Sequence, residues 1–220
     1  MDDENKNGYG VLFILVAFIL AVSIYQTIGI TLDTETPFVT VVSPSMEHEH
    51  TGRFGRISSV IEEDEHSFLS LFSTDMGLNI GDVVLVKGAD FEKIEAGRED
   101  GDVIVFKSKD EELNQKMPPM IHRVISRNET SLETMGDANN DQVKYCVSQG
   151  GVHRITHNTC TENERLIKIE QDIREEQVKG QAYIVLPNLG YTKLVPMCIV
   201  FDVVMDSQDE DIRYMCDYIF

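Results

Sequence analysis

The hydrophobic positions of this chain fall into one long run near the amino terminus and several short runs after it. Tyr9 to Leu32 is an uncharged stretch of 24 residues. At about 1.5 Å of rise per helical residue, such a stretch extends roughly 36 Å, enough to cross a hydrocarbon core about 30 Å thick. We therefore predict a membrane-spanning helix over residues 9–32.

The residues around the predicted span favour an anchor over a cleaved signal peptide. Ala21-Val22-Ser23 offers a small-residue cleavage site, but Met1 to Asn7 carries three acids and one lysine, whereas a signal peptide begins with positive charge. Lys6 precedes the span and no Lys or Arg follows until Arg53, which favours a cytoplasmic amino terminus. We therefore expect a short cytoplasmic tail at residues 1–8 and an extracytoplasmic remainder.

After the span, short apolar runs rich in β-branched residues alternate with turn residues. This pattern is typical of a mostly β domain, which we place at residues 33–205. The charged stretch Glu162 to Lys179 leaves room for one helix. Leu194 to Phe201 contains Pro196 and is too short for a second span, so we predict a strand or a terminal apolar segment there. The predicted strands are Phe38–Val42, Val83–Val86, Val103–Phe106, Ile121–Ile125, Val143–Val147, Leu166–Ile169 and Ala182–Leu186.

Two segments differ in composition from the rest of the predicted domain. Residues 47–75 form a largely polar insertion with an apolar centre at Phe68 to Phe72. This insertion is either a small strand that covers the domain or a patch that contacts lipid. Residues 206–220 form an acidic tail, which we expect to be solvated.

Composition and charge narrow the classes of function. The chain has 38 acidic against 19 basic residues and a formal net charge of −19. Phosphate backbones repel so acidic a protein, so we expect no nucleic acid partner. Hydrophobic residues make up 42% of the chain, enough to form a folded core.

The four cysteines allow disulfides if the domain lies outside the cytoplasm. They permit three pairings, of which we favour Cys146 with Cys160 because these two flank a polar loop. The same loop contains His153 and His157, so a zinc site is the alternative, although its spacing matches no strong zinc signature. We expect no metal.

Three positions of the chain are chemically suggestive. Ser45 comes directly after the first strand, on backbone that Pro44 stiffens. His122 is a polar residue inside a strand pattern and is the candidate base that a nucleophilic serine needs. The string Gly136 to Asp141 supplies two carboxylates, Asp137 and Asp141, that can orient an imidazole. Each signal alone is more often structural, and their combination indicates serine hydrolase chemistry.

In this combination the chain resembles the type I signal peptidases, specifically the archaeal and endoplasmic-reticulum branch. The motifs occur in the family's order after an amino-terminal anchor. His48 stands where the family often has proline, and Asp141 follows Asp137 at a shorter spacing than the family's second aspartate. The resembling segments are Ser43-Pro44-Ser45-Met46-Glu47, Asn79 to Lys87, Gly101 to Phe106, Ile121-His122-Arg123-Val124-Ile125, Gly136-Asp137-Ala138-Asn139, and Val178 to Gly190.

The resemblance implies a mainly β, coiled two-sheet catalytic domain on one transmembrane helix. It implies a serine endopeptidase of the cell membrane that removes signal peptides from secretory preproteins. The resemblance implies no cofactor and leaves open whether accessory subunits take part. Ser45 would be the nucleophile, His122 the general base, and Ser43 and Ser45 the oxyanion donors. Between the aspartates we favour Asp141 as the partner of the imidazole, with Asp137 mainly a turn former.

A second reading of the same residues remains open. The chain is then an anchored, extracellular β domain that binds partners without catalysis. In one form of this alternative, zinc bound at the loop between Cys146 and Cys160 stabilises the domain.

Overall fold

The computed structural model of the protein describes residues 3–48, 72–74, 77–148, 151–155, 159–204 and 216. Most of the 47–75 insertion, including residues 68–71 of its apolar centre, lies outside the described residues. The acidic tail lies outside them as well, apart from Cys216.

The uncharged amino-terminal run forms one long helix, α1, at Asp3–Thr31. Its segment Gly10–Thr31 is long and apolar enough to cross a membrane. Large apolar side chains point away from the rest of the protein, as at Phe13, which is 75% exposed, and Phe18, which is 66% exposed. Such exposure of a continuous apolar segment suits a lipid environment better than water. The prediction of one amino-terminal helix of membrane-span length is confirmed.

The rest of the described chain is mainly β and forms two antiparallel sheets. A curled six-stranded sheet has the order β1-β2-β9-β3-β4-β5, and a three-stranded sheet has the order β7-β6-β8. The predicted fold class is therefore confirmed. The strands are β1 (Phe38–Thr40), β2 (Val83–Lys87), β3 (Val103–Phe106), β4 (Met120–Arg127), β5 (Leu132–Met135), β6 (Lys144–Ser148), β7 (Gly151–Ile155), β8 (Arg165–Lys168) and β9 (Val178–Leu186).

The six-stranded sheet has a buried cluster on each of its faces. In β3 the alternation of side chains sends Val103 and Val105 into one cluster, with Met46, while Ile104 and Phe106 enter the other. The second cluster also contains residues of the three-stranded sheet, such as Val147, so it forms the core between the two sheets. All four side chains of β3 are buried, which explains why its sequence is continuously apolar.

Two predictions about secondary structure are wrong. Glu162 to Lys179 holds β8 and a single 3₁₀ turn at Glu175–Gln177 rather than an α-helix. Leu194 to Phe201 belongs to a helix rather than a strand. Its buried side chains Leu194 and Cys198 are four residues apart, which is the spacing of one helix face. A continuous apolar run hides this period. The described residues also form the helices α2 (Glu111–Lys116) and α3 (Tyr191–Val204).

Candidate active site

Ser45 lies on a short turn that the core holds at both ends. The residues Pro44–Met46 form one 3₁₀ turn directly after β1. Val41, which precedes the turn, and Met46, its last residue, are almost fully buried. The Met46 carbonyl also accepts the Leu78 N–H at 2.8 Å. The serine hydroxyl is therefore presented on a half-exposed turn whose backbone is fixed on either side.

His122 lies opposite this turn on β4, and the structure brings the two predicted residues together. The His122 Nε2 atom is 2.9 Å from the Ser45 Oγ atom. His122 is 3% exposed and pairs with Ile104 across β3 and β4. A Phe106 ring also packs near the imidazole, with 6.4 Å between the centroids. The hydroxyl and the nitrogen are thus within hydrogen-bond reach, with the imidazole buried and the hydroxyl on the half-exposed turn.

Ser43, the predicted oxyanion donor, contacts the same hydroxyl. Its Oγ atom is 3.1 Å from the Ser45 Oγ atom. Ser45 has one hydroxyl proton. When that proton is donated to the His122 Nε2 atom, the hydrogen bond between the serines must be donated by Ser43. This arrangement places a hydroxyl donor beside the atom that would attack a substrate.

The carboxylate that contacts the imidazole comes from Glu170. Its Oε1 atom is hydrogen-bonded to the His122 Nδ1 atom, and its Oε2 atom accepts the Val143 N–H. The Glu170 carbonyl accepts the Thr134 N–H at 2.9 Å, and the residue is fully buried. Glu170 was not among the residues predicted from the sequence. Its only signal is an acid directly after the apolar run Leu166–Ile169, which does not distinguish it among 38 acidic residues.

The prediction that Asp141 is the hydrogen-bond partner of the imidazole is wrong. The Asp141 carboxylate accepts from the Lys144 Nζ atom at 2.6 Å, and its side chain is 69% exposed. The hydrogen bond from Lys144, followed by one from the Gln142 N–H, lowers the pKa of Asp141. The turn before β6 points this carboxylate outward, and Glu170 already occupies the single Nδ1 position of His122.

Asp137 also makes different contacts from those predicted. Its Oδ1 atom accepts from Arg123 Nε at 2.9 Å, and its Oδ2 atom accepts from Arg123 Nη2 at 2.7 Å. His48 Nε2 lies 3.0 Å from the same Oδ2 atom. Asp137 therefore binds two side chains rather than capping backbone N–H groups, and its contacts do not include the imidazole of His122.

Arg123 connects this aspartate to the surrounding chain. Its side chain is 2% exposed. Besides the two bonds to Asp137, it donates to the Gly101 carbonyl at 2.8 Å and to the Thr74 carbonyl at 3.3 Å. A fork of two parallel bonds is the strongest arrangement available to an arginine and a carboxylate. His122 and Arg123 are neighbours on β4, so the residue next to the candidate base holds the turn that lies beside Ser45.

That turn packs directly on the nucleophile. The Ala138 N–H donates to the Ser45 carbonyl at 3.0 Å. A Cβ atom added to Gly136 would lie 2.4 Å from the same carbonyl oxygen. A glycine is needed at this position because of the close approach of the two backbones.

We predict that Gly136→Ala displaces Ser45 and lowers turnover. A misplacement of about 1 Å costs about 10²-fold in rate, and overpacking of this kind costs about 1–3 kcal/mol of unfolding free energy. Melting curves and cleavage rates of the full chain measure both effects. Gly10→Ala is the matched control, since nothing lies within 4 Å of a Cβ at Gly10. A Gly136→Ala variant with wild-type turnover would show that the close approach is not required.

The cysteines form disulfides in the structure. Cys146 is bonded to Cys160, which confirms the favoured pairing, and Cys198 is bonded to Cys216. The zinc alternative required thiolates at Cys146 and Cys160, and both sulfurs are used in the disulfide. His153 lies with its Nδ1 atom 3.7 Å from Glu164 Oε1. His157 lies outside the described residues. The loop thus offers no thiolate to a metal, which argues against the zinc-stabilised variant.

No model of a known protein family matches the chain, and no curated protein matches it significantly.

Proposed function

We propose that this protein is a membrane-anchored serine endopeptidase that removes signal peptides from exported preproteins. The observation that carries the proposal is the contact of 2.9 Å between the Ser45 Oγ and His122 Nε2 atoms. A serine hydroxyl becomes nucleophilic near neutral pH when an adjacent base accepts its proton. The alternative, an anchored β domain without catalysis, gives no reason for this pairing on a turn held at both ends.

The proposed reaction uses Ser45 and His122 together. Ser45 attacks the scissile carbonyl while His122 takes its proton, and His122 then returns the proton to the leaving amine. The same base next activates a water molecule that releases the acyl group from Ser45. The Ser45 N–H and the Ser43 hydroxyl would stabilise the oxyanion, and one such donor typically contributes about 3–4 kcal/mol.

The position of the site relative to α1 supports a substrate that is itself inserted in the membrane. The end of α1 is tied to the six-stranded sheet, because the Gly88 N–H donates to the Leu32 carbonyl at 2.6 Å. Strand β1 then leads from the helix to Ser45. The connection from Leu32 to Ser45 spans at most roughly 45 Å when extended. Cleavage sites at the outer end of apolar signal helices would lie within that distance of the membrane surface.

The proposed activity is tested by incubating the detergent-solubilised full chain with a purified secretory preprotein. We expect the wild-type protein to release the mature product, with its new amino terminus identified by mass spectrometry. Ser45→Ala in parallel distinguishes cleavage by this protein from cleavage by a contaminant. If the folded wild-type chain binds the preprotein without cutting it, the non-catalytic alternative is favoured.

We also predict the orientation of the anchor from Lys6, which precedes the span. Protease added outside right-side-out vesicles should digest the chain beyond residue 33 and leave the amino terminus intact. The measurement is labelling of single cysteines introduced at Asn7 and at exposed Glu133, in a background whose native cysteines are blocked. A cysteine at Asn7 that reacts from outside would reverse the proposed topology.

A further inference from the structure

We propose that Glu170 is the positioning residue of the imidazole, in place of the aspartate that the resemblance implies. This inference rests on the proposed mechanism of Ser45 and His122. It assigns a role to a residue outside every segment that carries the resemblance. The contact of the Glu170 carboxylate with the His122 Nδ1 atom is the observation that carries it.

The carboxylate of Glu170 is fixed at both oxygens. One oxygen meets the imidazole, and the other accepts the Val143 N–H. The backbone is fixed as well, because the Glu170 carbonyl accepts the Thr134 N–H at 2.9 Å and the Gln142 side-chain amide at 3.3 Å. A carboxylate held in this way selects the tautomer in which Nδ1 carries the proton and Nε2 is free to accept from Ser45.

The three-stranded sheet explains how Glu170 reaches this position. Lys144 of β6 pairs with Lys168 of β8, so the residue before β6 and the turn after β8 lie at the same end of the sheet. Val143 and Glu170 occupy those two places. The three-stranded sheet packs against the six-stranded sheet through the shared core. This packing places the Glu170 carboxylate beside β4. The disulfide from Cys146 on β6 to Cys160 constrains the same sheet.

The contacts of the three carboxylates support the same division of roles. Asp137 is committed to Arg123 and His48, and Asp141 to Lys144. Glu170 is fully buried, and its side-chain contacts are the imidazole and one backbone N–H. A buried carboxylate stabilises the protonated imidazole that forms as Ser45 attacks.

The test compares Glu170→Gln, Glu170→Asp and the exposed-acid control Glu133→Gln in the full chain. Gln keeps the side-chain length but can leave the imidazole in the wrong tautomer, so kcat should fall about 10³- to 10⁴-fold with little change in KM. Asp keeps the charge at a shorter reach, so its activity should lie between wild type and Gln. The acidic limb of the kcat/KM profile should move to lower pH in Glu170→Gln, because removal of the negative charge destabilises the protonated imidazole.

A second readout does not depend on cleavage. The His122 Nδ1 proton, hydrogen-bonded to a buried carboxylate, should give a far-downfield proton resonance in Ser45→Ala. Adding Glu170→Gln to Ser45→Ala should shift or abolish this resonance. If Glu170→Gln does not fold, Glu170→Asp decides, since a misplacement of about 1 Å predicts about a 10²-fold loss of kcat.

The outcomes separate this inference from the proposed function. A Glu170→Gln variant with wild-type kcat, pH profile and downfield resonance would overturn the role of Glu170 while Ser45→Ala stays inactive. A Glu170→Asp variant with wild-type kcat would overturn it equally. Failure of the folded wild-type chain to cleave preproteins would instead overturn the proposed function, and the resonance would still report the contact.

Discussion

Ser45→Ala and His122→Ala are each expected to lower turnover of a preprotein by several orders of magnitude, about 10⁴- to 10⁶-fold. A nucleophile and its base act as a unit, so the loss of either removes the same step. The double variant should therefore be scarcely slower than either single variant. Single-turnover cleavage at matched protein concentration, together with melting curves, measures the effect.

Matched controls exist for both substitutions. Ser126→Ala removes an exposed serine hydroxyl from the same strand as the base. His153→Ala removes an imidazole that is 55% exposed on the three-stranded sheet. Both should cleave at nearly the wild-type rate. Full activity in Ser45→Ala would exclude the serine mechanism. Full activity in His122→Ala would instead exclude His122 as the base.

Asp137→Asn is expected to cost about 3–5 kcal/mol of unfolding free energy, because it leaves the buried Arg123 cation without its charged partner. Turnover should fall as well, since the turn that Arg123 and Asp137 hold together bonds the Ser45 carbonyl through Ala138. Urea unfolding at neutral pH measures the stability. The double variant Arg123→Met/Asp137→Asn should lose less unfolding free energy than the two single variants lose together. The reason is that the double variant leaves neither charge unpaired.

The loss of unfolding free energy in Asp137→Asn should depend on pH. Burial raises the pKa of Asp137, but hydrogen bonds from His48 and Arg123 and the charge of Arg123 outweigh burial and hold the pKa below the usual 3.8. The ionised carboxylate therefore contributes stability that is complete above pH 3.8. That contribution is lost as the pH falls through the lowered pKa. The difference in stability between wild type and Asp137→Asn should accordingly narrow below about pH 4.

Asp141→Asn is the matched control for this prediction. Its carboxylate is 69% exposed, so water screens its ion pair with the buried Lys144, whereas both partners of the pair between Asp137 and Arg123 are buried. This variant should lose clearly less unfolding free energy than Asp137→Asn. A large loss in Asp141→Asn, with Asp137→Asn nearly normal, would reverse the roles that the contacts indicate.

Local sequence patterns predicted most strands of the core, though not β5, and the pair at the centre of the site. β3 and β9 were predicted because runs of β-branched residues bounded by glycine-containing turns are typical of buried strands. Ser45 and His122 were found because each stands at an unusual place in its own strand pattern. The pairing of Cys146 with Cys160 followed from a short loop that can bring its ends together.

Features that depend on contacts between distant segments were not predicted. The centre of α3 was predicted to be a strand or a terminal apolar segment, because this run is apolar throughout and carries no period. The insertion at residues 47–75 falls largely outside the described residues, so its predicted roles remain predictions. Asp137 was expected to cap backbone groups because nothing near it in sequence reveals that Arg123 lies beside it.

The sequence by itself indicated the amino-terminal helix of membrane-span length, the β class and the two residues proposed to react, because each of these depends on the order and period of neighbouring residues. The tertiary structure alone decided which acid meets the imidazole. Glu170 is 48 residues from His122, and only the packing of the two sheets brings them into contact. Asp141, closer in sequence to His122, is turned outward by the start of β6. A hydrogen bond depends on distance in space, which neither motif order nor composition encodes.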